Sequence, residues 1–292
     1  MAQILLVFAV IAVSTAAPLI KAAAPAPALT VAAFRICIAG LLLCAISGVQ
    51  IAQITRLPRR DVWLVIASGG LLAVHFGTWI TSLYLTSTAA SVALVATQPV
   101  FAGLLGWLAI GDRVGRFEMF GIAVAAIGCG VIGAGDFSMG SDALVGDGLA
   151  LVGAASAAGY FVVGRRMRKS MSLMPYLAVV NLVAGACLLG AVFATGAPII
   201  GFEPEVYAAM AACAIVPSVL GHSLLNWCVR RIRVHLVALA ILGEPVGASL
   251  LTWALFAEQP PIYAVLGGAV VLVGIGVGFI RRNTSRRKEH AP

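Results

Sequence analysis

A few polar side chains interrupt the long apolar stretches of this chain, and their types and positions suit them to chemistry. Glu244 and Arg35 carry opposite charges deep inside such stretches, and Gln98 occupies a position similar to that of Glu244. A carboxylate in apolar surroundings can hold a cation, an ammonium group or a proton, and a guanidinium fork matches a carboxylate. The alternative roles are structural: Glu244 hydrogen-bonds a neighbouring helix, and Arg35 pairs with Glu244 or extends toward water.

A proline directly follows two of these residues, in the pairs Gln98-Pro99 and Glu244-Pro245. Proline within a helix removes one backbone hydrogen bond and leaves a carbonyl oxygen unpaired. Inside an apolar layer such a break is tolerated where the backbone lines a cavity. The sequence therefore predicts two broken helices that meet at a cavity near the middle of the layer.

Further candidates for contact with a bound solute are polar or aromatic residues in other apolar stretches: His75, Trp79, Tyr160, Asn181, His222 and Asn226. His75 and Trp79 are four residues apart and share a helix face, as do His222 and Asn226. An aromatic face that also hydrogen-bonds suits a flat or amphipathic organic molecule. The alternatives are hydrogen bonds between helices and, for Trp79, anchoring at the edge of a membrane.

The composition identifies the surroundings of these stretches as a lipid bilayer. The chain has 292 residues, of which 61% are hydrophobic and 10% charged, and its mean hydropathy is +1.05. Soluble globular proteins are about half apolar and about a quarter charged. About 20 apolar residues cross the hydrocarbon core as a helix. The sequence predicts ten such spans, at residues 3–22, 28–48, 61–84, 88–110, 117–135, 146–164, 173–195, 205–226, 234–256 and 261–280.

Positive charges mark one side of this predicted bilayer. Of the 19 Lys and Arg residues, 17 fall in clusters that adjoin the ends of the even-numbered spans. The ends of the odd-numbered spans carry mainly acidic or neutral residues, such as Glu258. Because Lys and Arg accumulate on the cytoplasmic side, both termini are predicted to be cytoplasmic. The net charge of +8 is then a topology signal, and we expect no nucleic-acid partner, since a soluble basic domain is lacking.

The stretch around Gln98 recurs 146 positions later around Glu244, and residues 98–113 and 244–259 share six identities without a gap. The first copy ends in basic residues and the second does not, so charge bias gives the copies opposite orientations. Five spans per half is an odd number, which also inverts the second half. The predicted units are residues 1–140, residues 141–282 and a basic cytoplasmic tail at 283–292. Inverted repeats are typical of secondary transporters.

Glycine clusters in predicted spans 5 and 10, which hold nine of the 32 glycines between Gly121 and Gly133 and between Gly267 and Gly278. Small residues allow helix backbones to approach closely in lipid. The clusters predict either close packing within one subunit or a homodimer surface formed by spans 5 and 10.

The sequence has no P-loop, GxSxG or HExxH motif, so we expect no catalytic residues and no cofactor. The six cysteines form no CxxC pair and complete no metal-ligand spacing with histidine, so we expect reduced packing residues and no metal. A membrane sensor or embedded enzyme that uses His222, Asn226 and Glu244 is the alternative from another class. It would need a soluble output domain or a nucleophile beside a base, and the sequence shows neither.

Two five-span halves, the pairs Gln98-Pro99 and Glu244-Pro245, and the acidic helix ends at Asp112 and Glu258 resemble the drug/metabolite transporter superfamily. The closer resemblance, over essentially the whole chain, is to its ten-span branch of paired EamA domains. It implies an all-α integral membrane fold of ten transmembrane helices, built as two inverted five-helix repeats around a central cavity. Spans 1–4 and 6–9 would line that cavity. Gln98 departs from the commoner acidic-proline pair of the first half, which puts a mechanism with two carboxylates in doubt.

The sequence and this resemblance together predict a secondary transporter of the bacterial inner membrane that exports small organic metabolites by alternating access. Neutral or aromatic amino acids are the favoured solutes, with the carboxylate near Arg35 and the ammonium group near Glu244 or Gln98. Their side chains would rest against His75 and Trp79. Efflux of lipophilic cations or several drugs is the alternative. The expected partners are the solute and the lipid bilayer.

Overall fold

The computed structural model describes residues 2–110, 116–138, 140–167, 170–229 and 243–289. These residues form helices and turns, with no strand in the described ranges. Eight helical segments within them are long and apolar enough to cross a bilayer, and Ile262–Val277 is a shorter apolar helix. A further apolar helix, Glu244–Phe256, follows residues that lie outside the description. The protein is an all-α membrane protein of ten spans in two inverted repeats, as the sequence predicted.

The spans are numbered here in chain order. Their bounds are Ala2–Ser14 with Ala16–Ala22 (span 1), Ala28–Ser47 (span 2), Arg59–Leu85 (span 3), Thr88–Val95 with Gln98–Ile110 (span 4), Arg116–Asp136 (span 5), Ser141–Met167 (span 6), Leu173–Thr195 (span 7), Pro204–Cys213, Ala214–Gly221 and His222–Val229 (span 8), Glu244–Phe256 (span 9) and Ile262–Glu289 (span 10). A 3-10 helix, Gly48–Arg56, joins spans 2 and 3. The predicted beginning of span 9 at residue 234 lies outside the described residues.

Two spans extend beyond their predicted ends. Span 6 begins at Ser141 rather than at the predicted residue 146, so its first turn includes Asp142. Acidic residues near a helix N-terminus are favoured by the helix dipole, which allows the helix to include them. Span 10 continues to Glu289, past the predicted end at residue 280. Its last turns are rich in Arg, Lys and Glu, which are good helix formers.

Contacts between the spans follow the two-fold relation of the repeat. Span 3 packs on span 6, and the equivalent pair, span 8 on span 1, is also in contact. Span 4 likewise packs on span 6, and span 9 on span 1. Spans 2 and 7, 4 and 9, and 5 and 10 are each paired with their own repeat counterpart. The two halves therefore interlock through every one of these pairs instead of forming separate bundles.

The glycine clusters of spans 5 and 10 are used within the subunit, where the two helices pack against each other. A Cβ atom added at Gly128 would lie 2.7 Å from the carbonyl oxygen of Gly267. At Gly274 it would lie 2.7 Å from the carbonyl oxygen of Gly121. These contacts support the first of the two predicted uses of the glycines. A homodimer through spans 5 and 10 would have to use their other faces, and it stays a prediction.

We expect Gly128→Ala to lower the unfolding temperature of the purified protein in detergent, because the new methyl group meets backbone atoms at 2.7 Å. Overpacking of this kind costs about 1–3 kcal/mol. Gly130→Ala is the matched control, since its Cβ would meet nothing within 4 Å. Thermal unfolding curves that coincide for the two variants would contradict the close packing of spans 5 and 10.

Candidate solute-binding cavity

A cavity of about 360 Å³ lies between the two halves of the molecule. Spans 1–4 and 6–9 all contribute lining residues, and span 10 contributes Ile275. Most of the lining is apolar, with a few polar side chains converging on it. Small-molecule pockets are commonly about 300–1,000 Å³ and have this mixture of an apolar wall and a few polar groups.

Most of the residues predicted to contact a solute line this one cavity: Arg35, His75, Trp79, Gln98, Tyr160, Asn181, His222 and Glu244. The two prolines of the predicted helix breaks, Pro99 and Pro245, line it as well. Asn226 belongs to the helix His222–Val229, but its side chain lies outside the described part of the chain. The fold thus brings together residues from seven spans, and their role as solute ligands stays a prediction.

Gln98 and Glu244 are each the first residue of a helix beside the cavity. Span 4 stops at Val95 and resumes at Gln98, and the described part of span 9 begins at Glu244. In each case proline is the second residue of the helix, where its missing N–H is not needed. Gln98 and Glu244 therefore occupy the first turn of a helix that borders the cavity. The positive end of a helix dipole favours acidic or anionic groups at this position.

Arg35 is held in the interior, with 1% of its surface exposed. Its Nε–H donates a hydrogen bond to the Ser218 hydroxyl at 2.9 Å. Its guanidinium carbon lies 4.6 Å from the ring centre of Phe76 and 5.4 Å from that of Trp79. The Nη1 atom is buried and finds no hydrogen-bond partner within the part of the chain that the structure describes.

The Arg35 side chain does not extend toward water, so that structural alternative is wrong. Arg35 lies outside ion-pair distance of Glu244, since Lys21–Glu258 is the ion pair found among the described residues, but its charge still acts on the Glu244 carboxyl group. A buried arginine whose donor faces no acceptor is costly unless a ligand supplies one.

His75 and Trp79 form a stacked pair, with ring centres 5.8 Å apart and planes inclined by 14°. The His75 Nδ1 atom lies 2.9 Å from the Gly153 carbonyl oxygen. A carbonyl oxygen only accepts, so Nδ1 carries the hydrogen and Nε2 is the acceptor of the neutral ring. Trp79 is 6% exposed, and its buried Nε1–H has no hydrogen-bond partner among the described residues. The anchor role predicted as the alternative for Trp79 is therefore wrong.

Two other lining residues are fixed by contacts within the second half. The Asn181 side-chain amide donates a hydrogen bond to the Leu177 carbonyl oxygen at 2.8 Å. Tyr160 stacks on Tyr176, with ring centres 6.3 Å apart. Within the described residues, no group of three or more His, Cys, Asp or Glu side chains is arranged to hold a metal ion.

Sequence reasoning missed Ser218 and Phe76, which contact Arg35 directly. Ser218 belongs to a π-helical stretch, Ala214–Gly221, that interrupts span 8. Its hydroxyl donates a hydrogen bond to the Cys213 carbonyl oxygen at 3.2 Å, five residues earlier. The π-helical turns inside α-helices occur frequently at functional sites. Pro217 was the available signal, because it interrupts an apolar span as Pro99 does.

Glu258 connects three spans on the membrane side opposite the basic clusters. Its carboxylate pairs with Lys21 at the end of span 1 and accepts a hydrogen bond from the Thr88 backbone N–H, which begins span 4, at 2.8 Å. Burial alone would raise the pKa of Glu258, but Lys21 and the Thr88 N–H hold that pKa below its ordinary value. Because the folded pKa is lowered, the stabilisation is complete above the ordinary value of about 4.3 and is lost only at lower pH.

We expect Glu258→Gln to lower the unfolding temperature of the purified protein, because it leaves Lys21 without its counter-charge. Loss of one charged hydrogen bond costs about 1.5–3 kcal/mol. Glu203→Gln is the control: Glu203 is exposed at the start of span 8 and its side chain caps nothing. Differential scanning fluorimetry near neutral pH compares the two variants. An equal effect of both substitutions would mean that Glu258 does not hold these spans together.

The EamA-like transporter family model matches this chain twice, at residues 1–134 and 144–279. The protein named "Uncharacterized transporter YdfC" of Bacillus subtilis (strain 168) is 25% identical over 197 residues, which cover 65% of this chain and 62% of that protein. The protein named "Uncharacterized transporter YvbV" of the same organism is 31% identical over 156 residues, which cover 52% of this chain and 50% of that protein. The chain thus matches less than two thirds of the length of either relative.

A solved crystal structure with 19% sequence identity superimposes with a TM-score of 0.67, covering 96% of this chain and 97% of that chain. At this identity the similarity shows the fold alone. The family match, in contrast, is a match of sequence that extends over both halves and so over most of the chain. The chain belongs to the EamA-like transporter family, within the drug/metabolite transporter superfamily.

Proposed function

We propose that this protein is a secondary transporter that exports small organic metabolites across the bacterial inner membrane. Its two halves, residues 1–140 and 141–282, would alternate access to the central cavity, with both termini in the cytoplasm. Family membership points to transport rather than to catalysis. The observation that carries the proposal is the cavity between the inverted halves, to which each half contributes one charged side chain, Arg35 and Glu244.

Neutral or aromatic amino acids are the solutes that we propose. Arg35 Nη1 and Trp79 Nε1 are buried donors without partners, and both residues line the cavity. A carboxylate offers the acceptor oxygens that such donors need, and it matches the guanidinium fork. Glu244 supplies the opposite charge for an ammonium group. The stacked rings of His75 and Trp79 provide a surface for a flat or apolar side chain.

Efflux of lipophilic cations is the second candidate. Glu244 and the aromatic lining would attract a cation. The buried charge of Arg35 in the same cavity repels one, however, and like charges in an apolar site are strongly unfavourable. The zwitterion satisfies both charged residues, so the amino acids are favoured over the cations.

The test is solute exchange into proteoliposomes that contain the purified full-length protein. Vesicles preloaded with an unlabelled amino acid are placed in a trace of the labelled one, and protein-free liposomes are the control. We expect neutral and aromatic amino acids to exchange, and acidic and basic ones to exchange poorly, because each adds a charge that the cavity does not neutralise. Exchange of lipophilic cations with none of the amino acids would replace this proposal with the second candidate.

A further inference from the structure

A pair of buried carboxyl groups lies outside the lining of the solute cavity. Asp136 is the last residue of the span 5 helix, and Asp147 lies in the second turn of span 6. Asp136 is 0% exposed and Asp147 is 6% exposed. Neither residue lines the cavity. Two acidic groups are therefore buried where the proposed solute does not reach them.

The partners of the two groups differ. The Asp136 carboxylate accepts hydrogen bonds from the hydroxyls of Thr86, at 2.8 Å, and Tyr263. Both oxygens of Asp147 are buried, and no hydrogen bond within the described residues meets the geometric criteria for either of them. Asp147 faces the end of span 5 that carries Asp136: a Cβ atom added at Gly133, one turn before Asp136, would lie 3.9 Å from Oδ2 of Asp147, and the two carboxyl groups act on each other electrostatically. An ionised carboxylate only accepts, so a proton on either group would supply a donor to the other.

The charges around the two aspartates also indicate that the pair holds a proton. The described groups that face Asp147 are Asp136 and Cys129 of span 5, with Thr86 and Tyr263 beside Asp136. None of these side chains is cationic, and the ion pair found among the described residues, Lys21–Glu258, involves neither aspartate. Two adjacent carboxylates without a counter-ion do not both ionise in an apolar site, and such pairs retain one proton between them.

We propose that Asp136 and Asp147 form a proton-binding site that holds one shared proton, separate from the solute cavity. The site lies at a junction of the two halves, because Asp136 and Thr86 belong to the first half while Asp147 and Tyr263 belong to the second. When the proton leaves, two like charges face each other across this junction and repel. Loss of the proton therefore favours separation of the halves here, which makes the pair a coupling site for protons. This coupling step rests on the proposed transport function, whereas the binding of the proton does not.

Proton binding is tested directly by infrared spectroscopy of the purified full-length protein during a pH titration. We expect the stretching band of a protonated, buried carboxyl group near neutral pH, and its loss in Asp147→Asn and also in Asp136→Asn. The amide of asparagine resembles a protonated carboxyl in shape and supplies the hydrogen-bond donor, so these variants should fold. Glu203→Gln and Glu258→Gln are the controls that should keep the band, and the titration is repeated with Glu244→Gln added to each protein so that a proton on Glu244 is not mistaken for the aspartate proton. A band that persists in both aspartate variants after Glu244→Gln is added, or that is absent from Glu244→Gln alone, would overturn the proposed site.

Coupling is tested in proteoliposomes with a solute that the protein is found to exchange. A gradient of one pH unit sustains about tenfold accumulation when one proton moves per solute. We expect Asp147→Asn to reduce the ratio of gradient-driven accumulation to exchange to the value measured without a gradient. An unchanged ratio, or accumulation that follows a sodium gradient instead, contradicts the proton-coupling role. If no solute is exchanged by the parent protein, the transport proposal fails, while the infrared experiment still decides the proton site.

Discussion

Replacing Arg35 with methionine should weaken amino-acid binding by roughly 10- to 100-fold, which corresponds to the loss of about 1.5–3 kcal/mol for a charged hydrogen bond. Methionine keeps an unbranched apolar stem against Phe76 and Trp79 but removes the buried donors that face the cavity. The measurement is the concentration of amino acid that half-saturates exchange in proteoliposomes. Arg35→Lys should show an intermediate loss, because lysine keeps the charge but not the planar fork.

Ser218→Ala is the matched control for Arg35→Met. It removes the hydroxyl that orients the Arg35 guanidinium group but leaves the charge in place. We therefore expect a loss of affinity smaller than that of Arg35→Met. If Arg35→Met binds amino acids as well as the parent and only unfolds at a lower temperature, Arg35 is a structural residue and the proposed carboxylate contact is wrong.

Replacing Glu244 with glutamine should remove the preference of the protein for solutes that carry an ammonium group. The parent protein should bind an amino acid more tightly than the same molecule without its amino group, by about 1.5–3 kcal/mol. In Glu244→Gln both halves read Gln-Pro, and the two solutes should bind with similar affinity. Competition of each solute with labelled amino-acid exchange measures the difference, and the desamino compound serves as the internal control.

Two other outcomes for Glu244→Gln have distinct meanings. If gradient-driven accumulation is lost while exchange of both solutes is unchanged, Glu244 carries the coupling proton and does not bind the ammonium group. If accumulation and exchange are both unchanged, Glu244 is a structural residue, as in the hydrogen-bonded alternative derived from the sequence.

The ten spans and the break in span 4 were predictable because each depends on local sequence. Apolar length determines where a helix crosses the bilayer, and Pro99 marks the break at which Gln98 lies. The equivalent break predicted at Pro245 adjoins residues outside the described ranges and stays a prediction. The repeat indicated that the positions of Gln98 and Glu244 are equivalent in the two halves. Both positions line the same cavity because one half is inverted relative to the other. This inversion could be inferred from the duplicated sequence.

The remaining features depend on tertiary packing. The burial of Asp136 and Asp147 was not predicted, because both residues lie near predicted span ends, where acidic side chains usually face water, whereas neighbouring helices cover them. Trp79 resembled an interfacial anchor because sequence gives the depth of a residue but not the neighbour that its face meets. Ser218 was not predicted as a cavity residue because the π-helical turn that directs its side chain leaves no signal in the hydropathy of the sequence.

The charged residues of the cavity break the two-fold symmetry of the repeat. Arg35 of the first half corresponds to Asn181 of the second, and Gln98 of the first corresponds to Glu244 of the second. Each half thus contributes one charge and one neutral amide, so the cavity has a positive pole attached to one half and a negative pole attached to the other. Any movement between the halves changes the distance between the poles. A zwitterion bound across them would then be released stepwise, because one of its charged ends loses its partner while the other is still held.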